Sequence, residues 1–163
     1  MKLLLIVLIL AVIGVLWYLF RPDRLFISRT INEEFPEIDN NQGHPSAISP
    51  EVLARGEFHG VAHDGQGTAT LFKMANAKMV LRFTDFHVSN GPDVLVYLVA
   101  LEDSEDNNSV KEAEFVSLGP IKGNVGNQNY DVPSDVDLKK YRSVTIWCRR
   151  FGVNFATAPL TPQ

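Results

Sequence analysis

Short runs of β-forming residues at regular intervals most constrain how this chain can fold. From residue 52 onward, runs rich in Val, Ile, Leu, Phe and Thr alternate with turns built from Gly, Asn, Asp and Pro. Such spacing is typical of a β-sandwich or barrel. We therefore predict an all-β, antiparallel, sandwich-like domain over residues 51–163. The predicted strands are 54–61, 67–73, 78–89, 93–101, 114–118, 128–132, 143–149 and 151–158.

The strand predicted over 78–89 contains a change of phase. Its apolar residues occupy odd positions up to Phe83 and even positions from Phe86 onward. Because successive side chains of a strand point to opposite faces, a regular strand cannot keep both sets in the core. The pattern therefore predicts a β-bulge near Thr84 and Asp85.

The next run, Val94 to Val99, is apolar at every position. A strand with two apolar faces is typical of the centre of a sheet, so we predict a central strand here, entered through the turn Asn90-Gly91-Pro92-Asp93. The acidic stretch 102–114 that follows lacks the spacing and the glycine of an EF-hand calcium loop. We interpret it as a solvated hairpin loop.

The first segment is a different kind of sequence. Leu3 to Phe20 forms a run of 18 residues without a charge, which as a helix would span roughly 27 Å, close to the hydrocarbon core of a bilayer. Trp17 and Tyr18 lie near its end, where aromatic rings favour a membrane interface. The run ends in Leu-Phe-Arg-Pro, a poor signal-peptidase site. We therefore predict that residues 1–20 are an uncleaved, single-pass transmembrane signal-anchor helix.

Residues 21–50 read as a juxtamembrane tether, because prolines and a run of turn-forming residues interrupt them. Ile27, Ile31 and Phe35 are more apolar than a pure linker requires, so this part would pack either along a membrane surface or on the domain. The chain has 15 basic and 19 acidic residues and a net charge of −4. That balance argues against a nucleic-acid partner, which would require a positive face.

Cys148 is the only cysteine, so no disulfide can form within the chain. On its strand it alternates with Val144 and Ile146, which predicts that its side chain faces the core. Residue chemistry leaves two interpretations open. The cysteine is either a buried, inert small hydrophobe, or it is a redox thiol or a ligand to a metal or haem.

Known site motifs do not settle this choice. A blue-copper centre needs two His and a Cys, often with a Met, but no His or Met follows Cys148. The chain also lacks a Cys-x-x-Cys-His haem motif, a Gly-x-Ser-x-Gly elbow, a His-Glu-x-x-His motif and a P-loop. We therefore assign no metal-ligating residues, and leave open whether any metal or haem binds, which cofactor is used, and whether the protein is an enzyme.

Several motifs, which together cover residues 52–161, resemble those of the DM-thirteen domain family of candidate electron-transfer modules. The motifs are Gly56-Glu57-Phe58, His63 with Gly67-Thr68-Ala69, Asn90-Gly91-Pro92-Asp93 with Val96-Tyr97-Leu98, Leu118 to Asn124 with Gly126, Gln128, Tyr130 and Pro133, and Tyr141-Arg142-Ser143-Val144 with Ile146-Trp147-Cys148, followed by Phe151, Val153, Phe155, Ala158 and Leu160.

The resemblance implies an extracytoplasmic β-sandwich-like module whose signature cysteine acts in redox chemistry. That cysteine corresponds to Cys148, and His63 corresponds to a position that is often histidine in the family. Family members in animals often carry haem-binding partner domains; here an external redox partner protein would have to bind from outside the chain.

Two further expectations depend on the resemblance. It places the domain outside the cytoplasm, in a periplasm or the extracellular space, although the arginines that follow the apolar run would favour a cytoplasmic domain. The alternative to electron transfer is a non-catalytic binding or adhesion module in which Cys148 only packs in the core.

Overall fold

A computed structural model describes residues 2–20, 27–36 and 50–163. Within these residues the chain forms two helices and ten strands. The helices are α1 (Lys2–Phe20) and α2 (Asn107–Glu112). The strands are β1 (Glu51–Glu57), β2 (His59–Gly60), β3 (Gly65–Lys73), β4 (Met79–Val88), β5 (Val94–Val99), β6 (Phe115–Pro120), β7 (Val125–Val132), β8 (Ser143–Cys148), β9 (Val153–Pro159) and β10 (Thr161–Pro162).

The strands form two five-stranded antiparallel sheets. The first has the order β10-β1-β3-β4-β7, and the second has the order β2-β9-β8-β5-β6. The main core contains residues from both sheets, among them Phe83, Phe86, Val96 and Ile146. The predicted all-β, sandwich-like architecture is confirmed, because each sheet hides one apolar face against the other.

The predicted bulge in β4 is also confirmed. The pairing of β4 with β7 shifts register between Phe83 and Phe86, and Asp85 has a φ of 51°. On the other neighbour, β3 shifts register at Gly67, where a side chain would collide with the backbone of β4. The two irregularities face each other, so β4 keeps its apolar residues in the core on both sides of the bulge.

The second sheet has two buried faces, as predicted for the central strand β5. All six residues of β5 and all six of β8 are buried. One face belongs to the main core, while Tyr97, Trp147 and their neighbours form a second, outer cluster with Val110 of α2. The outer face is therefore covered by the connection between β5 and β6.

That connection joins two neighbouring antiparallel strands, as a hairpin does, but it is more than the solvated loop we predicted. Asp106 begins α2 by accepting hydrogen bonds from the backbone N–H groups of Asn108 and Ser109 at 2.6 and 2.8 Å. These bonds lower the pKa of Asp106. The cap allows a short helix to form, and the helix buries Val110.

Residues 27–36, which we call the strap, run along the first sheet. Thr30 forms a parallel bridge with Val125 of β7. The N–H groups of Ile31 and Glu33 donate to the carbonyls of Val125 and Asn127, each at 2.9 Å. The strap therefore packs on the domain and covers the outer edge of β7. The rest of the predicted tether, residues 21–26 and 37–49, lies outside the described residues.

The N-terminal segment is helical, as predicted. From Leu3 to Tyr18 its large apolar side chains are 47–80% exposed. The transmembrane part of the prediction is not supported, because no helix in the described ranges combines the length and the hydropathy of a membrane span.

Candidate functional site

Cys148 is the last residue of β8 and lies between two neighbouring strands. Its register partners are Val94 of β5 and Val153 of β9. The side chain is completely buried and belongs to the main core together with Val144 and Ile146. The predicted inward orientation is therefore confirmed, and the thiol has an apolar environment.

Several turns converge at the end of the sandwich where β8 terminates. We call this the strap-side end and define it by residues 27–29, 61–64, 89–93, 120–124 and 149–152. The start of the strap and the turns after β4 and β6 line one open groove of about 670 Å³. Ser89 adjoins the turn that contains His63, and Arg149 bonds to Asp93. The five segments thus form one continuous surface.

His63 lies on this surface and is exposed. Its ring packs against Phe155 of β9 with a centroid distance of 4.1 Å, and its backbone N–H donates to the Phe155 carbonyl at 3.3 Å. Phe155 is buried in the same core cluster as Cys148. The structure therefore places both candidate residues at the strap-side end, with His63 at the surface and Cys148 in the core.

The ring of His59 belongs to a different contact. Its Nε2 meets both carboxylate oxygens of Asp103, at 2.9 and 3.0 Å, which ties β2 to the connection between β5 and β6. In the described part of the chain, no group of three or more His, Cys, Asp or Glu side chains could hold a metal ion.

A buried polar cluster lies beneath the same connection and was not predicted from the sequence. Asn154 Nδ2 donates to the Ser104 carbonyl at 2.7 Å and to Thr157 Oγ1 at 2.9 Å. Asn154 Oδ1 has no partner. The sequence signal was the presence of two buried polar residues, Asn154 and Thr157, within β9. The cluster fixes the connection over β8 and β9.

The family motif around Gln128 and Tyr130 has a structural role here. Tyr130 donates from its hydroxyl to Gln128 Oε1 at 2.7 Å, and the Lys122 N–H donates to that hydroxyl at 3.2 Å. The Gln128 amide also exchanges two hydrogen bonds with the backbone of Gly123. Burial raises the pKa of Tyr130. This buried network holds the turn 120–124 in place at the strap-side end.

Ion pairs connect the segments of this end. Arg149 makes a two-point contact with Asp93 at 3.0 and 3.2 Å, which raises the pKa of Arg149. Lys122 Nζ lies 2.8 Å from Glu33 of the strap. Partial burial opposes ionisation of Glu33, but hydrogen bonds from Lys122 and from the Asn129 N–H lower its pKa overall.

Comparison with known proteins agrees with the resemblance noted in the sequence. The family model described as electron transfer DM13 matches residues 57–160, a range that contains both His63 and Cys148. No curated protein and no solved structure matched the chain. Because the family model covers well over half of the sequence, the chain belongs to the electron transfer DM13 family.

Proposed function

We propose that this domain takes part in electron transfer, with Cys148 as its redox thiol or ligand and His63 as its helper. The observation that carries the proposal is the family match over residues 57–160, which includes both residues. The convergence of Cys148 and His63 on one end of the sandwich supports a shared site. The cofactor and the redox partner are unknown.

The burial of Cys148 limits how such a site could work. The reactive form of a cysteine is the thiolate, and an oxidant or electrophile must reach it. Cys148 is 0% exposed, so a direct covalent reaction would require the turns at the strap-side end to open. A partner that docks at this end would approach the thiol without unfolding the sheets.

The same burial favours the alternative, a non-catalytic binding or adhesion module. Among Val144, Ile146 and Phe155, the thiol has the environment of a small hydrophobe in a core. In that case Cys148 contributes packing only, and the functional surface lies elsewhere on the domain.

Thiol labelling of the folded full chain distinguishes these two functions. If Cys148 is a redox thiol, it should react with a thiol probe at a rate far above that of global unfolding, and Cys148→Ser should abolish electron exchange with the fold intact. His63→Ala should weaken the exchange, whereas the control His44→Ala, outside the family match, should not. An absorption spectrum with metal analysis of the purified chain would reveal any bound cofactor. If Cys148 is labelled only when the protein unfolds, and no cofactor is found, the electron-transfer proposal fails and the binding or adhesion module remains.

We propose further that the domain is attached to a membrane through α1 and lies outside the cytoplasm. The attachment does not require α1 to span the bilayer. Its support is the run of 18 uncharged residues and the exposure of the apolar side chains, which the apolar part of a membrane would cover. Membrane fractionation followed by alkaline extraction should keep the chain with the lipid, and protease added to intact cells or spheroplasts should cleave the domain. A chain recovered in the soluble fraction would contradict the attachment.

A further inference from the structure

The strap-side end differs in charge from the molecule as a whole. Its five segments, together with Glu33, which lines the same groove and pairs with Lys122, contain four basic and three acidic residues, a formal charge of +1 in a chain whose net charge is −4. Arg29, Arg149 and Arg150 are exposed. The acidic connection between β5 and β6 covers the outer face of β5 and β8 and meets this end through Lys111, which lies beside Gly152. The seven charged residues are Arg29, Lys122, Arg149, Arg150, Glu33, Asp64 and Asp93.

The same end carries exposed apolar side chains. Ile27, at the start of the strap, is 65% exposed, and Phe151, in the turn between β8 and β9, is 59% exposed. Beyond α1, the other large exposed hydrophobics in the described ranges are Val52 and Phe115. Apolar side chains next to basic ones are the combination that binds the interface of an anionic bilayer.

The length of the segment between α1 and the strap limits how far this end can lie from the N-terminal helix. Six residues, 21–26, separate Phe20 of α1 from Ile27 of the strap. Seven Cα-to-Cα steps cannot exceed about 25 Å. The opposite end of the sandwich, at the turn 74–78, is farther from Ile27 by the length of β3, whose nine residues span about 30 Å. Of the two ends, the strap-side end is therefore the one held close to α1.

We propose that the strap-side end rests on the surface of an anionic membrane, with Ile27 and Phe151 in the interface and the net positive charge of this end facing lipid phosphates. The proposal rests on the membrane attachment proposed above and adds the orientation of the domain and the charge of the lipid. In this orientation, Cys148 and His63 lie on the membrane-facing side of the domain.

Spin labels on the full chain test the orientation. In a Cys148→Ala background, a nitroxide is placed at Phe151→Cys or at Lys78→Cys, in the turn at the opposite end. The protein is reconstituted into vesicles of phosphatidylcholine alone or with phosphatidylserine at about 3:1. Accessibility to an aqueous nickel chelate, present on both sides of the bilayer, and to oxygen is then measured.

In the anionic vesicles, the label at position 151 should be shielded from the chelate several-fold more than the label at position 78. Arg29→Glu with Arg150→Glu should remove that shielding without releasing the protein, whereas the control pair Lys73→Glu with Lys139→Glu at the opposite end should not. Equal chelate access at both positions in vesicle-bound protein would overturn the orientation. Shielding that is the same without phosphatidylserine would overturn the role of lipid charge. A chain that does not stay with the vesicles would contradict the attachment itself.

Discussion

Cys148 is both a packed residue of the core and the candidate redox residue. As the last residue of β8, it belongs to a core that both sheets share, and its register partners are Val94 and Val153. At the same end of the sandwich, His63 is exposed and packs on Phe155, which belongs to the core cluster of Cys148. Packing alone explains why the residue is apolar and small, so its stability and its chemistry have to be measured separately.

Cys148→Ala should lower the free energy of unfolding by about 1 kcal/mol, because it removes one buried atom from a packed site. Cys148→Ser should cost more, roughly 1–3 kcal/mol, because the hydroxyl would lack a hydrogen-bond partner among Val144, Ile146 and Phe155. Urea denaturation of the three proteins measures both values. A serine variant as stable as the wild type would contradict the apolar environment described for this residue.

The placement of the strap depends on single glycine residues of its neighbour. Gly126 has a φ of +101°, and a Cβ there would lie 2.2 Å from the Ile31 carbonyl oxygen. Gly123 has a similar close approach to the Arg29 carbonyl, at 2.4 Å. The glycine-rich stretch 123–126 therefore admits the strap next to β7.

Gly126→Ala should displace the strap. It should therefore lower the free energy of unfolding by more than the backbone strain of an alanine at this position alone. Gly119→Ala is the matched control, because Gly119 has a φ of +100° with no atom near the added Cβ. The control should lower the free energy of unfolding by about 1–2 kcal/mol, because alanine is strained in the left-handed conformation. Gly126→Ala should lower it by more. Denaturation of both variants, with amide exchange of residues 27–36, checks the difference. Equal losses in the two variants would show that the strap does not need Gly126.

The strap should also loosen in acid. The pKa of Glu33 is lower in the folded protein than its ordinary value of 4.5, so its carboxylate stabilises the folded state at pH values above 4.5. That contribution is lost as the pH falls through the lower, folded pKa. Glu33→Gln should lower the free energy of unfolding by up to about 1 kcal/mol at pH 7, and by little at a pH below the folded pKa of Glu33. Melting curves across this range test it, and a loss that does not depend on pH would contradict the role of the charge.

At the scale of the whole molecule, two antiparallel sheets and a strap share one domain. The strap contributes three backbone hydrogen bonds with β7, the Glu33 ion pair, and an edge-to-face contact of Phe35 with Phe72 at 4.9 Å. These contacts join parts of the chain that are far apart in sequence. Stability should therefore depend on residues N-terminal to the 57–160 range of the family match.

Removal of residues 1–20 should leave the unfolding of the domain nearly unchanged, because the strap remains. Removal of residues 1–36 should destabilise it by about 2–4 kcal/mol, from the lost hydrogen bonds, ion pair and aromatic contact. Chemical denaturation of the two shortened chains beside the full chain gives the comparison. Equal stability of the two shortened chains would show that the strap is not a structural part of the domain.

The sequence by itself determined the class of fold, most strand positions, the β4 bulge and the inward orientation of Cys148. All of these follow from local alternation of apolar residues, which the chain carries within each strand. Only the tertiary structure decided that residues 27–36 cover β7, that α2 buries Val110 over the second sheet, and that His63 shares an end with Cys148. These features depend on contacts between residues distant in sequence, and the periodicity of a single segment does not indicate which other segment it will contact.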